Sequence, residues 1–361
     1  MVMKLPSINP VQNLKQATER NFSGGWNILD NELNLNPKYS PVMENLRLGP
    51  NQTLSVRWGT RLFSNLTYVF SSPTTKIVNL EYYNGAFVVV GSNGEVAKVL
   101  GDGTASLIFS TAIAAAQPGS PSGWSDTDFA SFAQFNGELI ICNGVDKPLI
   151  VHKTFITEYL QDLGTGSNFY TPVCKYVTTA NRYLIMAGDP LNPNRVHISA
   201  RDTSGTWYGD PAPNDATYID VGSIISSASI IRGIASFRDQ VIVAFIEGTV
   251  IGKLGTYNAD GTTHLPDFSD KIELYGAVSH RTLNGYGDDM LFLDQFGVPS
   301  LKRTVLSGTL RPDRTSDLID PEITTALSSL SFNSLENRTW SVFNQKEGEF
   351  FFFIPNTDSI D

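Results

Sequence analysis

The chain has 361 residues, a formal net charge of −10, 41% hydrophobic and 17% charged residues, and two cysteines. An acidic balance without any run of Lys or Arg excludes a tight grip on DNA or RNA, which needs clustered cations to displace counterions. Thirty Gly, 19 Pro and 21 Phe favour strands, turns and aromatic packing over long helices.

Residues 1–20 are polar and are expected to lie outside a packed core. They lack the apolar run of a signal peptide, and no apolar stretch of about 18 residues occurs in the chain; the expectation is a soluble protein that does not use the general secretory route. Residues 21–70 read as N-terminal strands that close or join the domain that follows, at 71–361.

From there, six segments superpose: residues 79–99, 131–151, 176–199, 233–254, 285–303 and 341–358. Each has an apolar strand, a polar pair suited to a tight turn, then three to five apolar residues. The pairs are Asn84-Gly85, Asn136-Gly137, Asn181-Arg182, Arg238-Asp239, Asp288-Asp289 and Glu347-Gly348. Asn-Gly is a strong hairpin signal because both residues tolerate the positive φ of a type I′ turn. Successive pairs lie 52, 45, 57, 50 and 59 residues apart. A period near 50 with several strands per repeat predicts an all-β chain, a β-propeller of about six four-stranded blades with few short helices. The unbroken runs "FVVVG", "LIICN", "VIVAF" and "FFFFI" fit strands covered on both faces. A β-sandwich is the competing architecture.

Between the repeats, "AIAAAQPGSPSGWSDTD" (112–128) reads as a surface excursion. Cys142 in "ELIICNG" and Cys174 in "TPVCKYV" sit in strand-like runs and are expected to be buried free thiols; their number rules out a disulfide framework. In "GDPLNPNRVHIS" (188–199), Pro190 and Pro193 cannot donate to a ladder and mark the turn between two strands. His197 alternates with Val196 and Ile198 and is expected on a solvent face. Residues 318–330, "LIDPEITTALSSL", predict a helix, with Asp320 as cap, Pro321 in the first turn, and Ile323, Leu327 and Leu330 on one face.

No catalytic constellation is legible. "SARDTSGTW" (199–207) approaches the Asp-box turn of sialidase-like blades, but with Asp202 and Gly205 one residue too far apart, and such a box is structural. His152, His197, His264 and His280 show no i,i+4 pairing, and no Cys–His cluster offers a zinc site. "NADGTTHLPD" (258–267) and "YGDDM" (286–290) lack the ordering of a calcium loop. "GDGTAS" and "GTGS" complete no phosphate or dinucleotide fingerprint, and Asp126 and Asp128 carry no mark of an acid–base pair. No cofactor, metal or catalytic residue is expected.

Three stretches resemble the tail nozzle proteins of short-tailed bacteriophages, including the packaged-DNA stabilisation proteins. They are "NFSGGWNILDNELNLNPKYSPVMENLRLGPNQTLSVRWGTRLFS" (21–64), "GDPLNPNRVHIS" (188–199) and "YGAVSHRTLNGYGDDMLFLDQFGVPSL" (275–301). The resemblance implies a structural virion protein, a homo-oligomer of six subunits forming a ring in the tail. Its expected neighbours are an adaptor or head-to-tail connector and tail spike, fibre or needle proteins. Such a ring retains packaged genome and then passes double-stranded DNA through its lumen without sequence-specific binding. An acidic wall, over which DNA slides, agrees with this. The implied location is the virion tail, after assembly in the host bacterial cytoplasm. The final "EGEFFFFIPNTDSID" reads as half of a blade: either strands from the first 65 residues complete the ring or the chain is part of a longer protein, which is the expectation preferred here. The alternative function is a carbohydrate-binding or receptor-binding propeller, with Trp58, Trp124 and Trp207 as stacking platforms.

Overall fold

Hairpins form where the chain supplies residues that accept positive φ. Asn84 (φ 45°), Asn136 (51°) and Asn181 (47°) each open a two-residue turn, followed by Gly85 (85°), Gly137 (78°) and Arg182 (71°). Arg238 (49°) and Asp239 (61°) form a fourth turn of this kind without an Asn or a Gly. The computed structural model describes residues 24–30, 35–36, 38–43, 46–48, 54–56, 62–115, 123–160, 171–208, 216–225, 230–255, 266–301 and 315–357.

The chain divides into two units, Met1–Gly59 and Thr60–Asp361. In the first, β1 (Gly25–Trp26) pairs in parallel with β2 (Tyr39–Ser40), and β3 (Leu46–Leu48) pairs antiparallel with β4 (Leu54–Val56). The Trp26 indole donates to the Pro41 carbonyl at 3.0 Å.

The second unit is a β-propeller. Blade one contains β5 (Ile77–Tyr83), β6 (Ala86–Gly91), β7 (Val96–Leu100) and β8 (Ala105–Phe109). Blade two contains β9 (Ser131–Phe135), β10 (Glu138–Cys142), β11 (Leu149–Val151) and β12 (Thr157–Tyr159). Blade three contains β13 (Tyr176–Ala180), β14 (Tyr183–Ala187), β15 (Arg195–Ile198) and β16 (Thr217–Asp220). Blade four contains β17 (Gly233–Phe237), β18 (Gln240–Ala244), β19 (Gly248–Lys253) and β20 (Asp267–Glu273). Each is a four-stranded antiparallel meander in sequence order.

The last two blades are smaller among the described residues. Blade five pairs β21 (Asn284–Tyr286) with β22 (Asp289–Leu291), and Leu291 bridges to Ser300. Blade six pairs β23 (Trp340–Asn344) with β24 (Glu349–Phe353). The expected four strands are therefore present in blades one to four, and residues 302–314, which follow the bridge, lie outside the described set.

The second strands β6, β10, β14 and β18 are almost wholly buried, because a blade's interior strand meets a neighbouring blade on each face. The run in β24 departs from this expectation: Phe353 is 41% exposed and Phe350 to Phe352 are half-buried. Phe352 and Ile354 pack toward blade five, while the opposite face of the hairpin has no apolar cluster over it among the described residues.

Apolar clusters fill the junctions between blades: Val88 and Val90 with Leu139 and Ile141, Ile140 and Cys142 with Leu184 and Met186, and Ile185 and Val196 with Val241 and Val243. Ile242 and Ala244 meet Met290 and Phe292 at the next, and Leu293 meets Leu335 and Phe352 at the last. Cys142 and Cys174 are free and buried at the second junction, where burial pushes the Cys142 thiol well up.

Three expectations change. Helix α1 (Thr111–Ala115) begins the stretch read as a surface excursion; further on Trp124 is buried against Phe109 and donates to the Lys147 carbonyl at 2.9 Å, which staples this segment between blades one and two. Helix α2 (Asp320–Ser328) starts one residue earlier than expected: Ile319 holds the cap position in place of Asp320, Asp320 is the first helical residue, and its carboxylate accepts from the Ser316 hydroxyl at 2.5 Å. Leu327 and Leu330 are buried and Ile323 packs beside them, as their spacing predicts. Residues 62–70 pack with the propeller, since Leu66, Val69 and Phe70 cover Val89 and Val99 of blade one.

Candidate functional site

Residues of the first strands of the six blades line an axial cavity of about 830 Å³. Glu81, Ser131, Thr178, Ser236, Asn284 and Ser341 contribute one lining residue per blade. The turns lie at one end of these strands, and their starts lie at the other.

At the turn end the side-chain amide of Asn84 donates to the Lys153 carbonyl on blade two at 2.8 Å. Asn136 makes the same reach to Asp202 on blade three at 2.7 Å, and Asn181 to Asp239 on blade four at 3.4 Å. Asn84, Asn136 and Asn181 thus hold equivalent places: each sets its own turn and ties it to the next blade. Arg182 forks onto the Asp202 carboxylate, so its exposed guanidinium replaces the missing Gly with a contact of its own. In blade five the turn is Gly287-Asp288 and not Asp288-Asp289. Tyr286 pairs directly with Asp289, whose carboxylate takes a hydrogen bond from the Ser300 hydroxyl at 2.5 Å. Gly287 (φ 56°) supplies the positive φ, which explains the one-residue shift.

At the other end sits a feature the sequence reading missed. Helix α3 (Phe332–Arg338), capped by the Ser331 hydroxyl, buries Ser334, Leu335, Glu336 and Asn337. Glu336 stands 2.8 Å from the Lys175 ammonium and 3.1 Å from the Arg232 guanidinium, and it accepts from the Tyr176 hydroxyl. Lys175 also donates to the Asn337 amide oxygen at 3.0 Å. Arg281 donates to the Asn337 carbonyl at 3.0 Å and to the Ala130 carbonyl of blade two at 3.4 Å. The Phe129 ring lies between the two cations, 4.7 Å from Lys175 Nζ and 4.7 Å from the Arg281 guanidinium carbon. One short helix thereby touches blades three to five at the axis, and Arg281 carries the contact on to blade two.

Burial alone would raise the Glu336 carboxyl, but Lys175, Tyr176 and Arg232 hold it below its ordinary value. Burial lowers Lys175 despite Glu336 beside it. Burial and the Arg281 and Lys175 charges push His280 down to about 3, so it stays neutral and accepts from the Ile234 backbone N–H at 3.3 Å. The neutral imidazole packs against the Phe129 and Tyr176 rings.

The "GDPLNPN" turn is organised by Asp189. Its carboxylate accepts from the Leu191 backbone N–H at 2.8 Å and from the Asn192 side chain at 2.9 Å. It also reaches His197 Nε2 at 3.2 Å, and His197 is 6% exposed. His197 therefore lies under this turn and not on a solvent face: the proline-bearing loop folds back over its strand. Burial lowers His197, with Asp189 opposing. Asp202 takes positive φ (61°) in a turn between β15 and β16, in keeping with a structural role for the Asp-box-like stretch.

Trp124 and Trp207 are buried, so neither is a platform for a ligand, and Trp58 lies outside the described residues. His264 and residues 258–265 also lie outside them. Among the described residues no three His, Cys, Asp or Glu side chains converge to hold a metal ion, and no helix is long and apolar enough to cross a membrane.

No family model and no curated protein matches the sequence. Solved structures similar to this chain include the Neurospora crassa Pan2 WD40 domain, at 12% identity over 63% of each chain with a TM-score of 0.37. YCF48 bound to D1 peptide matches at 11% identity, 74% of this chain and 73% of that one, TM-score 0.40. BamB from Moraxella catarrhalis matches at 11% identity, 74% and 70%, TM-score 0.39. The fold assignment rests on the chain's own sheets: the protein is a β-propeller, with its blades in consecutive order around one axis.

Proposed function

We propose that this propeller is a structural subunit of a bacteriophage tail, a nozzle-type protein that assembles with five further copies into a ring beneath the adaptor. The observation that carries the reading is the last blade. Its strand β24 consists almost entirely of phenylalanine, half-buried at Phe350 to Phe352 and 41% exposed at Phe353, an aromatic surface that a neighbouring protein covers in an assembly. The axial mouth of the propeller is filled by α3, so a conduit for DNA is the lumen between subunits and not the hole within one. A net charge of −10 keeps that lumen from binding DNA tightly.

Electron microscopy of the purified protein mixed with its neighbouring tail subunits tests this. Rings with six-fold symmetry and an open centre are expected. A protein that stays monomeric with those partners present, or that acquires a lumen lined continuously by Lys and Arg, contradicts the reading.

A further inference from the structure

Arg281 lies at the α3 end of the axial cavity, and one of its donors is idle. Its terminal nitrogens donate to the Asn337 and Ala130 carbonyls at 3.0 and 3.4 Å, while its Nε is buried with no hydrogen-bond partner. Both acceptors are neutral, whereas Lys175 and Arg232 share the Glu336 carboxylate. Burial pulls the guanidinium down to about 10, the sign of a charge poorly compensated by its surroundings. A buried donor left unmade on a charged group is costly. A carboxylate would satisfy donor and charge together, because its two oxygens match one edge of the guanidinium fork.

Space for such a ligand adjoins this side chain. Arg281 lines both the axial cavity of about 830 Å³ and a groove of about 270 Å³ beside α3. The larger volume falls within the roughly 300–1,000 Å³ of small-molecule sites. Leu80 and Val342 of its wall are 49% and 43% exposed, so the cavity is open to solvent. Thr178 and Ser236 bring hydroxyls to the wall. Glu81 lines it nearer the turn end, where its carboxylate receives the Gln134 side-chain amide at 3.4 Å and burial raises its pKa. We infer that the axial cavity binds a small hydroxylated monocarboxylic acid, its carboxylate on Arg281 and its hydroxyl-bearing tail directed along the threonine and serine wall toward Glu81. A second carboxylate on the ligand would meet Glu81, so a monoacid is preferred to a diacid. Asp128 lines the groove, so the carboxylate approaches Arg281 from the cavity. The site belongs to the single subunit and stands whether or not the protein is part of a tail.

Titration calorimetry on the full chain tests it, with gluconate and the shorter glycerate as probes and sorbitol as the same polyol without the carboxylate. At least one of the two acids should bind at millimolar concentration, and sorbitol should not. Arg281→Gln should weaken the binding by about tenfold or more. Tartrate, a hydroxylated diacid, should bind severalfold more weakly than the monoacid. Binding of neither acid overturns the site, and equal binding of sorbitol overturns the role of the carboxylate. Unchanged affinity in Arg281→Gln places the acid elsewhere, and equal or tighter binding of tartrate overturns the monoacid assignment. If the variant does not fold, a crystal structure of the wild type grown with gluconate decides. A carboxylate within hydrogen-bonding distance of Arg281 Nε supports the proposal, and density elsewhere, or none, contradicts it.

Discussion

The side-chain amide of Asn136 lies 2.7 Å from the Asp202 carbonyl on the next blade, and the same residue holds φ at 51°. One side chain therefore performs two tasks, turning its own hairpin and tying it to its neighbour. Asn84 repeats the arrangement with Lys153, which makes these turns the joints of the propeller and not merely its corners.

Separating the two tasks gives the first prediction. Asn136→Gly keeps the backbone conformation and loses the bond, and should cost about 0.5–1.5 kcal/mol in chemical unfolding. Asn136→Ala loses both and should cost about 1 kcal/mol more, because alanine resists a left-handed conformation. Equal losses would show that the turn geometry is not demanding.

Arg238 and Asp239 occupy a type I′ turn with neither Asn nor Gly. Replacing them together by Asn and Gly should raise stability by about 0.5–1 kcal/mol, measured as a higher denaturant midpoint. The bond from Asn181 goes to the Asp239 backbone and survives the change.

Acid should weaken the propeller through two groups. His280 is held at about 3 against an unfolded value near 6.5, so the unfolded chain binds the extra proton between them and stability falls as pH drops through that window. Glu336, held below its ordinary value, contributes stability that is fully present above the unfolded value near 4.5 and is lost as pH falls from there through the folded value. His280→Phe should flatten the slope of stability against pH in the upper window; an unchanged slope would assign it to other groups. His152 works in the opposite sense. Burial opposes its charge, yet Glu158 and Glu138 raise it, so its contribution is present below about pH 6.5 and lost as pH rises through the folded value.

Cys142 and Cys174 report on the junction of blades two and three. A thiol reagent should leave both unmodified in the native protein and label both once that junction opens in denaturant. Rapid labelling of the native chain would contradict the packing described.

The propeller was legible in the sequence because its hairpins are local: Asn84-Gly85 and the apolar run behind it sit within a few residues of one another. Even the misplaced pair at Asp288-Asp289 erred by a single position, where Gly287 outcompeted it. The axial cluster was not legible in this way, because Lys175 and Arg232 meet Glu336, and Arg281 meets Asn337, from distant points in the chain. A signal was present nonetheless: Lys76, Lys175 and Arg232 each stand immediately before the first strand of a repeat. Equivalent positions in a propeller converge at one end of the axis, so three cations there call for an acid. His197 was misplaced for a related reason. Alternation along β15 gives the face on which it lies, but not that the Asp189 loop folds back to cover it.

The central claim is that these hairpins are equivalent sheets set in consecutive order around one axis, and cysteine cross-linking tests it most directly. A short cross-linker should join the pair Asn84→Cys with Lys153→Cys, and the pair Asn136→Cys with Asp202→Cys, while leaving Asn84→Cys with Asp239→Cys unlinked three blades away. Failure of the adjacent pairs to react, or efficient linking of the distant one, would contradict the account.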